Sequence, residues 1–310
     1  MATLGPFLIS ASLTALLAYG LLRWAPRWGL VDEPTPRKAH PRSVPIGGPA
    51  LVLGVLAGSV PFLLTSGWGG SWAVGALLVA LLGTLDDRRR SGLSPRIKLL
   101  GQLGAALLPL AFGPLLVASL DVFGWEVPLG ALAIPFTLLW IVGITNAINL
   151  IDGLDGLACG QALIAALALA GLSVQTGNEA ALTLSFALLG GTFAFLAFNR
   201  PPAKLFLGDG GSYFLGFTLA VLSLQATLPT HGGGVALLVP AALLGYPIAD
   251  TLWAILRRLR AGRSIFRADT EHFHHRVRDA MRDERRSVWA FYGLFLLLAA
   301  LATALRTSGP

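Results

Sequence analysis

Ten apolar runs alternate with connections that are either crowded with Lys and Arg or empty of them, and that pattern leaves this chain few folds to choose from. The runs cover about residues 5–22, 47–65, 69–85, 99–117, 128–149, 157–175, 180–198, 206–226, 234–256 and 288–305. A helix that crosses a bilayer needs about 20 mostly apolar residues. The connections 24–46, 86–98, 150–156, 199–205 and 257–287 hold 22 of the 23 Lys and Arg residues, with Arg23 counted in the first. The connections 66–68, 118–127, 176–179 and 227–233 hold none, and Arg306 is the one exception. Short basic loops stay in the cytoplasm, so both termini are expected outside and the basic connections inside. Continuous apolar runs exclude a β-barrel, whose strands alternate. The expected class is all-α: a polytopic transmembrane bundle of about ten spans, one integral-membrane domain over residues 1–310.

Composition agrees. Charged residues make up 13% of the chain against 55% hydrophobic, about half the charge of a soluble domain. The net charge of +7 comes from short loops beside apolar runs, which topology and anionic headgroups explain better than nucleic acid does. A single cysteine, Cys159, excludes an internal disulfide and reads as a small core residue. In the first run, Arg23 and Arg27 follow the apolar stretch rather than precede it. That is the reverse of a cleaved signal peptide, so the run is expected to remain as the first span.

The polar clusters fall on the basic side. In NAINLIDGLDGLA (146–158), Asn146, Asn149, Asp152 and Asp155 recur every third residue, a spacing that places successive members near one helix face. Acids at a membrane boundary are functional by default, whereas a helix-terminal turn accounts for one Asp-Gly pair but not two in tandem. Asp86 and Asp87 end the third run beside Arg88–Arg90, where charge balance is an equal explanation. Asp209 sits among glycines in LFLGDGGSYFLG (205–216), where backbone N–H groups can approach an anion and a carboxylate can hold Mg²⁺. His272, His274 and His275 lie in DTEHFHHRVRD (269–279) with Arg263, Arg267, Arg276 and Arg278 nearby. Their spacing fits no zinc signature, and they read as donors to a phosphate-rich ligand. PTPRKAHPRSVPIGG (34–48) carries Arg37, Lys38, His40 and Arg42 and is on its own an ordinary positive-inside loop. Six acids (Asp86, Asp87, Asp152, Asp155, Asp209 and Asp269) with two His/Arg loops on one face are the equipment of phosphoryl transfer.

At these residues the sequence resembles the polyprenyl-phosphate N-acetylhexosamine-1-phosphate transferases, the family that includes the phospho-MurNAc-pentapeptide translocase. RKAHPRSVPIGG (37–48), LDD (85–87), NAINLIDGLDGLA (146–158), FLGDGGS (206–212) and HFHH (272–275) stand in the family's order along nearly the whole chain. The resemblance implies that the phosphate of undecaprenyl phosphate attacks the β-phosphate of a UDP-N-acetylhexosamine, giving a lipid-linked sugar diphosphate and UMP. It implies Mg²⁺, or Mn²⁺ in its place, at Asp209 with Asp155. It gives Asp86, Asp87, Asp152 and Asp155 catalytic roles, and Asn149, Lys38, His40, His272, His274, His275 and Arg276 substrate-binding roles. It sets the protein in the cytoplasmic membrane with its site facing the cytoplasm, and a homodimer is compatible with it.

The H-F-H-H order resembles the GlcNAc-1-phosphate branch, which has H-[IL]-H-H, more than the translocase branch with three adjacent histidines. Phe273 departs from the aliphatic residue expected there, and Arg90 from the Asp, Asn or Lys usual at its position. Translocase-type activity is the alternative within the class. An intramembrane aspartyl protease is disfavoured because Phe206 stands where its G-x-G-D motif needs Gly. An ion-coupled transporter built on Asp250 leaves the His/Arg loop unexplained.

Overall fold

Small residues decide how the helices of this chain meet, because lipid offers no hydrophobic drive for apolar side chains to turn inward. The computed structural model describes residues 4–28, 31–32, 44–89, 92–122, 125–227, 235–264 and 272–307. Helix α1 (Leu4–Trp24) buries Pro6, Ser10, Thr14 and Ala18, one small residue per turn. Leu4, Leu8, Ile9 and Leu16 face outward. After a 3-10 turn at Ala25–Trp28, β1 (Val31–Asp32) pairs antiparallel with β2 (Val44–Pro45). Helix α2 (Gly48–Gly58) packs on α1 through Gly54, which faces Thr14.

The helices that follow are α3 (Val60–Thr65), α4 (Gly69–Arg88) and α5 (Pro95–Ala111). Next come β3 (Ser119–Val122) and β4 (Trp125–Pro128), then α6 (Ala133–Ile151), α7 (Leu157–Thr176), α8 (Glu179–Asn199) and α9 (Gly208–Gln225). The chain closes with β5 (Val235–Ala236), α10 (Leu238–Leu243), α11 (Gly245–Arg260), α12 (Phe273–Met281) and α13 (Glu284–Thr307).

The protein is a helical membrane bundle. Among the described residues, six segments are long and apolar enough to cross a bilayer: Leu4–Trp28, Gly69–Arg88, Gly130–Ile151, Leu157–Thr176, Glu179–Asn199 and Glu284–Arg306. The other four apolar runs differ from the expected single spans for local reasons. The second breaks at Ser59, since Pro61 has no N–H to continue the ladder. The ninth breaks at Leu244 between Pro240 and Pro247. The fourth ends at Ala111, after which the chain forms the β3–β4 hairpin, with β5 parallel to β3. The eighth, α9, is long enough but carries four glycines, two serines and a threonine.

That composition suits its position. Every residue of α9 from Gly210 to Gln225 is buried, wrapped by α2, α4, α6, α7 and α8. Several buried hydroxyls donate to carbonyls of their own helix, as Thr145 does to Ile141 at 2.7 Å, Thr192 to Leu188 at 2.7 Å and, within α9, Ser223 to Ala220 at 2.9 Å.

Candidate active site

The acids converge because two backbones touch. Gly83 on α4 lies against the start of α9 so closely that a Cβ there would enter the Asp209 carbonyl, and a Cβ on Gly210 would strike Thr84. Glycine at both positions lets the last turn of α4 abut the first turn of α9. Asp86 and Asp87 are thereby set beside Asp209.

Asp86 is buried and accepts a hydrogen bond from the Leu93 amide and one of 2.9 Å from Lys98 Nζ. Its carboxyl also comes within hydrogen-bonding reach of Asp209. Asp87 Oδ2 accepts from Gly210 N at 3.3 Å. From the end of α6, Asn149 Nδ2 donates to Asp209 Oδ1 at 2.9 Å and to Ser212 Oγ at 2.8 Å. Three helix ends, those of α4, α6 and α9, thus share one polar junction.

The every-third-residue stripe does not continue as one helix face. Helix α6 ends at Ile151, and the turn at Asp152–Gly156 sends its members apart. Asn146 exchanges hydrogen bonds with Gln102 of α5 (2.7 and 3.3 Å), a link between helices away from the acids. Asp152 stays with the cluster. Although part of its side chain reaches solvent, withdrawal from water and then the charges of Asp209, Asp87 and Asp155 push its carboxyl well above the usual range. Asp155 Oδ2 accepts from the Ala203 amide at 2.7 Å, and its own N–H donates to Glu284 Oε1 at 2.9 Å. That carboxylate fastens the turn to the loop before α9.

The histidines form a second region on α12. Asp250, buried on α11, accepts from His272 Nδ1 at 2.8 Å and from the Phe273 amide at 2.8 Å, so it caps α12. Its isolation in an apolar run was visible in the sequence, and the cap accounts for it without transport. His274 stacks on His272 and packs tilted against His275, with ring centroids 5.6 and 4.3 Å away. It is fully buried, and neither ring nitrogen has a hydrogen-bond partner; His275 Nδ1 is in the same position.

Nε2 of His274 presses on Gly153, where a Cβ would collide with it. The histidine shelf therefore rests directly on the turn that carries Asp152 and Asp155. Burial, followed by the charge of His275, pushes His274 down to about 3, and burial lowers His275 as well. Arg276 is exposed on the same helix. Lys38, His40 and Asp269 lie outside the described residues. The described flank of their first loop, Ile46–Gly47, bridges Phe206 just before α9, with Gly47 N donating to Phe206 O at 2.7 Å.

Four contributors escaped the sequence reading. Lys98 is one of five basic residues in the connection 86–98, and nothing in its spacing marks it as the partner of Asp86. Ser212 accepts from Asn149 and donates to Asp209 O at 3.3 Å, while Glu284 accepts from the Asp155 amide and Tyr292 donates from its hydroxyl to Gly156 O at 2.8 Å. Among the described residues, no group of three or more His, Cys, Asp or Glu side chains is arranged to hold a metal ion. A Mg²⁺ ion needs no such cage when one or two carboxylates and substrate phosphates share it. Asp209 with Asp86 in reach, and Asn149 alongside, is an oxygen-rich donor set of that kind.

The description glycosyl transferase family 4 matches residues 70–227, the stretch from α4 through α9. The chain is 37% identical to the probable undecaprenyl-phosphate N-acetylglucosaminyl 1-phosphate transferase of Bacillus subtilis (strain 168), over 97% of this chain and 84% of that protein. It is 36% identical to the decaprenyl-phosphate N-acetylglucosaminephosphotransferase of Mycobacterium tuberculosis (strain CDC 1551 / Oshkosh), over 92% of this chain and 78% of the other. A phospho-N-acetylmuramoyl-pentapeptide-transferase of Synechococcus sp. (strain JA-3-3Ab) is 34% identical over 96% of this chain and 91% of its own.

Proposed function

Because the chain belongs to glycosyl transferase family 4, we propose that it transfers a sugar 1-phosphate, with GlcNAc 1-phosphate as the leading candidate, from a UDP-N-acetylhexosamine to undecaprenyl phosphate. The lipid phosphate oxygen forms a bond to the β-phosphorus of the nucleotide sugar. The bond from that phosphorus to the bridging oxygen breaks, and UMP leaves with the oxygen. The product is a lipid-linked sugar diphosphate, the first unit of a cell-envelope polysaccharide.

The observation that carries the reading is the convergence of Asp86, Asp87 and Asp209 with Asn149 at one end of a membrane bundle. Two anionic substrates must meet there, and so many acids repel both unless a cation intervenes. Asp209 and Asp86 are the residues suited to hold Mg²⁺, which when bound would neutralise the diphosphate as charge moves to the leaving group. Asn149 orients Asp209 through its 2.9 Å bond. Lys98 holds the Asp86 carboxyl in one position through its 2.9 Å contact. Asp152 and the buried histidine shelf border the same turn, where unfilled ring nitrogens suit phosphate or nucleotide oxygens. The positive-inside pattern supports a site at the cytoplasmic face of the cell membrane, where a UDP-sugar is available.

The direct test incubates membranes bearing the protein with undecaprenyl phosphate, Mg²⁺ and a panel of radiolabelled UDP-sugars, and identifies the lipid product. A labelled lipid diphosphate from UDP-GlcNAc is the expected result. Label only from UDP-MurNAc-pentapeptide would move the chain to the translocase branch, and no lipid product from any donor would remove the proposal.

A further inference from the structure

A groove of about 1150 Å³ opens on the side of the bundle away from α4, walled by α1, α7, α8 and α13. Its walls are apolar: Phe193, Leu196 and Trp289 line it, and Phe193 and Trp289 are largely exposed. Its mouth is cationic. Arg200, Lys204 and Arg285 line it, and among the described residues no Asp or Glu does. Arg285 is fixed there by donating from Nε to Pro201 O at 3.2 Å.

The groove is larger than most small-molecule pockets, which run to about 1,000 Å³, and its shape of apolar trough with basic lip matches a lipid rather than a solute. Basic pockets between membrane helices recognise anionic headgroups. None of its lining residues comes from α4 or α9, the helices that bear Asp86, Asp87 and Asp209. A lipid seated there does not offer its phosphate to those acids, which argues against the lipid substrate as the occupant.

We propose that this groove holds an anionic diacyl phospholipid, its chains against Phe193, Leu196 and Trp289 and its phosphate between Arg200, Lys204 and Arg285. The lipid ties the loop before α9 to the first turns of α13. Those two elements also grip the Asp152–Gly156 turn, through Ala203 to Asp155, Glu284 to the Asp155 amide, and Tyr292 to Gly156. The bound lipid thus steadies, from outside, a turn that serves the acid cluster.

The test is lipid retention by the purified full chain in detergent, read by native mass spectrometry after addition of dioleoyl-phosphatidylglycerol or dioleoyl-phosphatidylcholine. Phosphatidylglycerol should be retained and phosphatidylcholine washed away. Replacing Arg200, Lys204 and Arg285 together by Gln should weaken retention by roughly fivefold per cation, about a hundredfold in all. The pair Arg260→Gln and Arg263→Gln, basic residues elsewhere on the same side, should leave it unchanged. Thermal unfolding reports whether the triple variant folds; if it does not, Lys204→Gln alone should still lower retention severalfold. Equal retention of both lipids, unchanged retention in the folded triple variant or in Lys204→Gln, or displacement of phosphatidylglycerol by equimolar undecaprenyl phosphate would each overturn the proposal.

Discussion

The acids at the start of α9 and the histidines of α12 share one end of the bundle and are built on opposite principles. Asp86, Asp87 and Asp209 each accept hydrogen bonds from protein donors, supplied by Lys98, Leu93, Gly210 and Asn149. His274 is more deeply buried than they are, yet neither ring nitrogen has a hydrogen-bond partner. Leaving a buried polar group unsatisfied costs about 1–3 kcal/mol. The acid cluster is therefore positioned before substrate arrives, while the histidine shelf holds hydrogen-bonding capacity in reserve. Geometry fixed in advance suits the reacting phosphates, and unfilled donors suit a ligand that comes and goes.

The sharpest way to break this contrast is at Asp209, the meeting point of three helix ends. Asp209→Ala should lower Mg²⁺-dependent UMP release by about 10³-fold or more, the scale of losing a principal charge-stabilising group. The bundle should persist, because α9 is buried along its length and does not rely on that side chain. Near-normal UMP release would show that the convergence of acids is not the reacting centre. Asp86→Asn comes next. It keeps the shape, weakens the pairing with Lys98 and removes a charge, so turnover should drop by roughly 10²-fold while UDP-sugar binding, followed calorimetrically, persists. Loss of nucleotide binding at unchanged turnover per bound substrate would assign Asp86 to the nucleotide instead.

A smaller effect separates the histidines from one another. His272 is bonded to buried Asp250, whereas neither ring nitrogen of His274 has a hydrogen-bond partner, its Nδ1 standing 3.9 Å from Asp250 Oδ2. His272→Ala should lower the unfolding midpoint, since Asp250 then loses its 2.8 Å bond to that ring and keeps the Phe273 amide. His274→Ala should leave the midpoint close to wild type, because deleting an unsatisfied group offsets part of the lost packing. It should instead raise KM for the UDP-sugar by roughly tenfold, about one hydrogen bond's worth of binding. If the two variants behave alike in both assays, the shelf is structural throughout.

How far the sequence anticipated this arrangement differs between the two regions. The bundle and the polar end were legible because both depend on properties that single residues carry: apolar length, charge sign, and acids where lipid makes them expensive. Asp86, Asp87, Asn149 and Asp209 could be named for that reason. What was hidden depends on where helices stop and which backbones touch. The stripe from Asn146 to Asp155 read as one helix face, but α6 ends at Ile151, so Asn146 turns to Gln102 and Asp155 to Ala203. Helix α9 fell below the hydropathy of a membrane span because a helix wrapped by five others needs small residues more than apolar ones. The split runs at Ser59 and Leu244 followed from prolines that were in view but were read as lying within continuous spans.

The smallest expected effect is one of pH, and it bears on whether the reserve in the shelf is real. His274 sits at about 3 in the folded protein against an ordinary value of 6.5, and His275 is lowered too. Above pH 6.5 both folded and unfolded chains carry His274 neutral, so the group adds no slope. As pH falls below 6.5 the unfolded chain takes up a proton that the folded chain refuses until about 3. Stability is therefore lost across that window, by at most about 1.4 kcal/mol per pH unit for this one group. The groups that face it (Asp250, His272, His275 and Arg278) pull in both directions, Asp250 against the loss and the three cationic or cationisable groups with it. Amide exchange along Phe273–Met281, corrected for the intrinsic effect of pH, should accelerate between pH 7 and 5. His274→Asn, which cannot titrate, should lose most of that acceleration. Equal protection at both pH values in the unsubstituted protein would mean that the ring nitrogens are already bonded, and the contrast between the two regions would disappear.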